Sequence, residues 1–366
     1  MDREIGKEYL EQEVIKHFGE EFFGKLTPYI ADIDVTDINY SNNQVWINHV
    51  TDGRYMVEGL DYTEEDATAL AYRVCNTENV QFNQSHPVLS ADLHDLRFHF
   101  THSSFSVSGT AVSIRKTPIV MRITSETMRK GKVQQLTEKA EAFLKAAVES
   151  RFNTVLCGLT GTGKTEWCKT LIKNTRPNER IITIEDTSEL HLSTLFPEKD
   201  IVELKVNQFI DYEGAIKTCM RMLPTWLLLS EARGKEIKDL IKSISTGAKI
   251  ITTLHADDAR QIPSRMLNMF EDNELSNDKI ENMIYDYIDL GIHVRADFKN
   301  GTTRYIDKIV YFELDTDGNK KCHDLYSVKH NADGTYSYYY HEMPKSLVER
   351  LENNDCYLAE QWKGVE

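Results

Sequence analysis

The segment GLTGTGKT, from Gly158 to Thr165, constrains this chain more than any other. Gly158 is followed by four residues and then by Gly163-Lys164-Thr165, the spacing of a phosphate-binding loop. Glycines let the backbone turn its N–H groups inward around a polyphosphate, Lys164 reaches the outer phosphates, and the Thr165 hydroxyl is suited to ligate Mg²⁺. The flanks agree with that use. An apolar β-type run, FNTVLCGL, leads in, and KTEWCKTLIKN leads out with Trp167, Leu171 and Ile172 on one helical face, so strand, loop and helix follow in the required order. The nucleotide-binding set expected here is Gly158, Thr160, Gly161, Thr162, Gly163, Lys164, Thr165 and Glu166.

A chain of 366 residues exceeds the usual size of a single core, which predicts two domains. Hydrophobic residues at 40% and charged residues at 28% are those of a globular protein in water. The formal charge of −15 disfavours an extended nucleic-acid footprint. The polar, acidic start MDREIGKEYLEQEV is not a signal peptide, and the longest apolar runs, such as TWLLLS, are far too short to span a bilayer. A cytoplasmic protein is expected, without direct membrane insertion. Six cysteines stand without a C-x-x-C pair or a zinc-spaced histidine, and so read as reduced thiols.

Along the chain, residues 1 to about 26 read as helix, Asp32 to Gly59 as short strands around a turn, and Glu64 to Asn76 as a helix with Ala67, Leu70, Ala71 and Val74 on one side. Alternation in LRFHFTHSSFSVSGTAVSIRK gives a β segment ending at Arg115 and Lys116, completing a small α/β domain over 1–116. Residues 117–133 show no clear period and read as a weakly packed linker. From 134 to 366 a helix leads into the phosphate-loop strand, after which RIITIED, TWLLLS and KIITTLH alternate with helical patterns, as in a parallel sheet wrapped by helices. Beyond Asp286 come β runs broken at Asn300-Gly301, Asp317-Gly318 and Asp333-Gly334, three hairpin signals that predict an antiparallel appendage. DTDGNK has its glycine too early for a calcium loop and reads as a plain turn.

Ligands of open parallel sheets bind beyond the carboxyl ends of the strands. Four polar groups follow apolar strand-like runs at once: the phosphate loop, Glu185-Asp186 after IITI, Glu231 after WLLLS and His255 after IITTL. Phosphoryl transfer to water needs a positioned water, a metal on the phosphates and charge for the leaving oxygens. One carboxylate can deprotonate the water, another can hold the Mg²⁺ shell with Thr165, and a neutral donor can contact the terminal phosphate. Glu185, Glu231 and His255 match those tasks. Singly, an acid after a strand also serves as a helix cap and a histidine is often structural; together beside a phosphate loop they read as a hydrolytic site.

GLTGTGKT, ITIEDTSELHL, RMLPTWLLLSEARGKE and STGAKIITTLHADDA resemble, in order, the Walker A, Asp box, Walker B and His box of the secretion-superfamily ATPases of type II and type IV secretion and pilus assembly. DIDVTDINYSNNQVWIN, SHPVLSADLHDLRFHF and VSGTAVSIRK are similar to that family's amino-terminal domain, and DYIDLGIHVRADFKNGTTRYIDKIVYFEL looks like the tight-adherence (CpaF/TadA-type) subgroup. The resemblance implies a RecA-like P-loop core and an ATP- and Mg²⁺-dependent motor. It implies a hexamer, and an integral membrane platform protein as partner, at the inner face of the cell membrane. By position it makes Glu185 the catalytic carboxylate, Glu231 the acid near Mg²⁺ and His255 the His-box contact. Arg115 and Arg97 match arginines that reach the nucleotide from the amino-terminal domain, and Arg221 and Arg233 match those flanking Walker B. The chain departs from the family pattern at Ser230, Leu223, Thr225 and Ala248, none of them a group the chemistry requires.

Two other classes compete. A nucleic-acid translocase shares the core fold, but the charge of −15 and the lack of a basic, aromatic-interleaved stripe oppose it. A GTPase switch or small-molecule kinase is opposed by NKKC at Asn319, which lacks the aspartate of the guanine-reading pattern.

Overall fold

The computed structural model describes residues 14–117, 119–130, 133–270, 275–297, 303–358, 362 and 364–365. They form two compact units, which divide between Val120 and Met121; Thr187–Glu189 and Asp297 cluster with the first.

The first unit is built on alternation. Strands β1 (Val35–Ser41), β2 (Gln44–His49), β3 (Gly53–Met56), β4 (Val88–Leu93), β5 (Leu96–Thr101) and β6 (Ala111–Lys116) form one antiparallel sheet in the order β3-β2-β1-β6-β5-β4. Leu89, Ala91 and Leu93, Leu96, Phe98 and Phe100, and Val112 and Ile114 are buried, while the residues between them face outward, so a period of two sends one face into the core. Helix α1 (Glu64–Glu78) adds Ala67, Leu70, Ala71 and Val74 to that core. It starts at a capping box in which the Asp66 N–H donates to Thr63 Oγ1 (3.3 Å) and the Thr63 N–H donates to Asp66 Oδ2 (2.9 Å).

The long helix expected at the start does not form as one piece. Residues 1–13 of that span lie outside the described residues. Residues 16–31 make separate turns, Lys16–Phe18, Glu20–Phe23 and Thr27–Ala31, broken at Gly19 (φ 81°) and Gly24 (φ 56°), backbone that no right-handed helix continues through. Hydrophobic spacing overstated the helix because the glycines interrupt the backbone without changing the pattern.

In the second unit, strands β7 (Thr154–Cys157), β8 (Ile181–Glu185), β9 (Ile201–Lys205), β10 (Trp226–Leu229), β11 (Lys249–Leu254) and β12 (Leu290–Asp297) run parallel in the order β12-β7-β11-β10-β8-β9. β7, β8 and β10 are buried at every residue, which is why they read as continuous apolar runs. Alternate residues of one strand feed two separate cores. Leu156, Trp226 and Leu228 pack with helices α2 (Glu138–Glu149) and α3 (Lys164–Lys173). Val155, Leu227 and Leu229 pack with α4 (Tyr212–Cys219), α5 (Glu236–Ser245), α6 (Ile262–Met269) and α7 (Asn277–Tyr287).

β13 (Thr303–Leu314), β14 (Lys320–His330), β15 (Tyr336–Tyr340) and β16 (Gly364–Val365) continue outward from β12. The antiparallel appendage therefore extends the parallel sheet to ten strands. Two of its turns fall where expected, with Gly318 and Gly334 at φ 80° and 83°; Asn300-Gly301 lies outside the described residues. Helix α8 (Lys345–Glu352) follows β15.

The described residues of 117–133 are not uniformly weakly packed. Of the described ones, Val120 belongs to the first core, and Met121, Ile123, Met128 and Val133 belong to the second. Their burial follows no helical or strand period, so periodicity alone could not show it.

Glu179, 2% exposed, ties the start of β8 to its neighbours. It accepts from Arg151 Nε (2.8 Å), from the buried Trp226 indole (2.7 Å) and from the Arg176 N–H (3.1 Å). Glu179→Ala strands a buried donor, so a loss of about 3 kcal/mol is expected in urea unfolding, with Glu179→Gln losing less. A loss below about 0.5 kcal/mol would show that Trp226 finds another acceptor.

Candidate nucleotide-binding and hydrolysis site

β7 ends at Cys157 and the phosphate loop begins at Gly158, φ 147°, where a Cβ would lie 2.2 Å from the Val294 carbonyl of β12. Only glycine fits that approach. Gly161 (φ 79°) and Gly163 (φ 94°) turn the chain into α3, with Gly163 at the N-cap. The loop is folded on itself: Thr162 Oγ1 donates to Leu159 O (2.9 Å), and the Lys164 ammonium donates to the carbonyls of Gly158 (2.8 Å) and Leu159 (3.2 Å). Thr160 is exposed, and Thr165 follows Lys164 in the first turn of α3. A cradle that only glycine backbone can form, opening a ten-residue helix whose N-terminus attracts anions, fits a polyphosphate.

The Glu166 side chain points elsewhere. It accepts from Lys169 Nζ (2.9 Å) and from the Arg122 N–H (3.3 Å), while Thr170 Oγ1 donates to Ile123 O (3.3 Å). Burial pushes the Glu166 carboxyl up, but Lys169 and Arg122 outweigh it and hold it below the ordinary carboxylate range. Glu166 and Thr170 thus anchor residues 122 and 123 to the phosphate-loop helix.

Three strands bring their carboxyl ends alongside the loop. β11 delivers His255, whose Nδ1 lies 3.1 Å from Gly158 O and 3.5 Å from Lys164 Nζ. Its Nε2 is 2.7 Å from Glu231 Oε1, just past β10. Glu231 Oε2 accepts from Arg233 Nη2 (2.6 Å), and Arg233 Nη1 donates to Asp186 Oδ2 (2.9 Å), just past β8. A continuous polar chain thus runs from Gly158 through His255, Glu231 and Arg233 to Asp186. The two carboxylates raise the Arg233 pKa further, so this cation persists at any working pH. Glu185, the last residue of β8, is 3% exposed and accepts from the Leu190 N–H at 3.2 Å. Arg221 lies exposed beyond α4.

Arg97 and Arg115 belong to the first unit, directly opposite one another on β5 and β6. Arg115 Nε donates to Asp37 Oδ1 (3.0 Å), and Arg97 lies 3.9 Å from Asp92, so four charged residues form one row across four strands.

Three further anchors gave no sequence signal. Arg304, at the start of β13, donates from Nε to Gly161 O (2.9 Å) at the tip of the phosphate loop. Lys308 pairs with Asp258 and Arg260 with Asp324, fixing the segment after His255 to β13 and β14. Each joins residues far apart in the chain, which no local pattern encodes.

A glycine cradle with its lysine, two acids and a histidine at the carboxyl edge of a parallel sheet define a P-loop nucleotide hydrolase. Residues 75–295, more than half the chain, match the family described as type II/IV secretion system protein, and the chain belongs to that family of ATPases. Among its relatives is the type IV secretion system protein VirB11 of Brucella suis, 27% identical over 321 residues, covering 78% of this chain and 88% of that protein. An uncharacterized Bacillus anthracis protein is also 27% identical, over 295 residues; the match spans 77% of this chain and 66% of that longer relative. In fold, the chain is similar to the Legionella pneumophila ATPase DotB, with a TM-score of 0.59 at 14% identity, over 77% of this chain and 78% of that one.

Proposed function

We propose that the chain is the ATP-hydrolysing motor of a type IV secretion-like machine. The observation that carries this reading is the polar chain from the phosphate loop through His255 and Glu231 to Arg233. The N–H groups of the 158–165 loop and Lys164 take the phosphates of ATP, and Glu185 orients and deprotonates the attacking water. Thr165 and Glu231 would hold Mg²⁺, which would neutralise phosphate charge. His255 contacts the terminal phosphate, and Arg115 with Arg97 supplies further cationic charge. The narrower tight-adherence assignment rests on the stretch after Asp286 alone.

A site completed from outside its own core suits a closed ring, and we assign a homohexamer. Light scattering with a non-hydrolysable ATP analogue should report a mass near six chains. A monomer with full activity at micromolar concentration would contradict it.

No helix among the described residues is long and apolar enough to cross a membrane. Residues 1–120 carry nineteen acidic against nine basic residues, which suits basic cytoplasmic segments of an integral membrane platform protein better than anionic lipid. That association should weaken as salt rises. Fractionation of cells with and without the platform gene tests it: the protein should leave the membrane pellet when the platform is missing. Equal pelleting in both strains, or tight binding to bare vesicles, would sink this account.

A further inference from the structure

We propose that Arg304 is a positioning residue of the nucleotide site, latching the phosphate-binding loop from β13. The proposal rests on the reading of that loop as the ATP cradle. Arg304 Nε donates to the Gly161 carbonyl at 2.9 Å, and its Cδ lies 3.5 Å from where a Cβ on Gly163 would stand. The side chain therefore lies over Gly161 and Gly163, the two left-handed glycines that carry the loop into α3. Glycine has little conformational preference of its own, so this turn takes its shape from what holds it.

The loop's ties differ in kind. The Gly158 and Leu159 carbonyls are held by Lys164 from within the loop. Lys164 is also the group that must turn to an incoming polyphosphate, so those ties are lost on binding. Arg304 reaches Gly161 from another strand, and its acceptor is a carbonyl that no phosphate competes for. This tie can persist while Lys164 changes partners, keeping the loop N–H groups aimed. It also leaves a fixed cation near the α3 N-terminus, where a bound anion gathers its charge.

A latch of this kind strengthens binding of substrate and transition state alike, so its loss should raise KM and leave kcat nearly unchanged. The test uses full-length wild type, Arg304→Ala and Arg304→Lys, with ADP affinity by calorimetry, steady-state ATP hydrolysis, and thermal melting without nucleotide. Arg304→Ala should weaken ADP binding and raise KM for ATP by about tenfold, the scale of one charge-assisted hydrogen bond. Its kcat should stay within about twofold and its nucleotide-free melting should not change. Arg304→Lys, which can still donate to Gly161 O, should recover affinity to within about threefold of wild type. Wild-type ADP affinity in Arg304→Ala would overturn the proposal. So would a fall in kcat with KM unchanged, or a loss of melting temperature that accounts for weaker binding in both variants. A wild-type protein that binds no ADP would instead refute the nucleotide reading itself.

Discussion

Glu185→Gln is expected to bind ATP as the wild type does and to hydrolyse it about a hundred-fold or more slowly, the loss typical of a removed general base. The substitution suits the site. Glu185 is the buried last residue of β8, and its Oε1 accepts from the Leu190 N–H, a bond the glutamine carbonyl can keep. Structure and cradle are preserved while the proton acceptor is lost. Lys164→Ala should fail differently, losing tight nucleotide binding with the ammonium that holds the loop carbonyls and is proposed to reach the outer phosphates. Equilibrium binding alongside single-turnover hydrolysis separates the two variants. Unchanged turnover in Glu185→Gln would move the base role to Glu231. That residue already engages His255 through one oxygen and Arg233 through the other, so a proton from water would compete with those contacts.

Arg115→Gln should retain ADP affinity and lose about a hundred-fold in hydrolysis, since phosphoryl transfer draws much of its charge stabilisation from an arginine supplied by another domain or subunit. Arg115 Nε donates to Asp37, with Arg97 opposite on β5. Arg115→Lys should rescue poorly, because a compact ammonium cannot span from the carboxylate to a second acceptor as the planar guanidinium fork does. Arg97→Gln should cost less, its contact with Asp92 being 3.9 Å. Point substitution is a cleaner test than truncation at Leu136. A fragment starting there would lose Met121, Ile123, Met128 and Val133 from the second core, and poor turnover would then report damaged packing. Full activity in Arg115→Gln would reduce Arg115 to a surface ion pair.

The sequence by itself determined the parts whose physics is local. A phosphate loop is eight consecutive residues, and its spacing, the apolar strand before it and the helical face of Trp167, Leu171 and Ile172 are all legible within about twenty positions. β8, β10 and β11 are buried on both sides and so read as unbroken apolar runs, which places Glu185, Glu231 and His255 at or just past strand ends from the sequence alone. The order of those strands, and therefore which groups meet, was not in the pattern. Pairing of β7 with β11, and of β10 with β11 and β8, is what sets His255 between Gly158 and Glu231. The same holds for Arg304 on Gly161 and for Asp289, which joins the Asn153 N–H (2.7 Å) to Arg350. It holds also for the burial of Ile119, Val120, Met121, Ile123, Met128 and Val133. In each case a residue meets a partner tens to hundreds of positions away, and its contribution comes from burial and hydrogen bonding that exist only after the chain has closed on itself; a local periodicity carries the backbone's preference but not the identity of the partner.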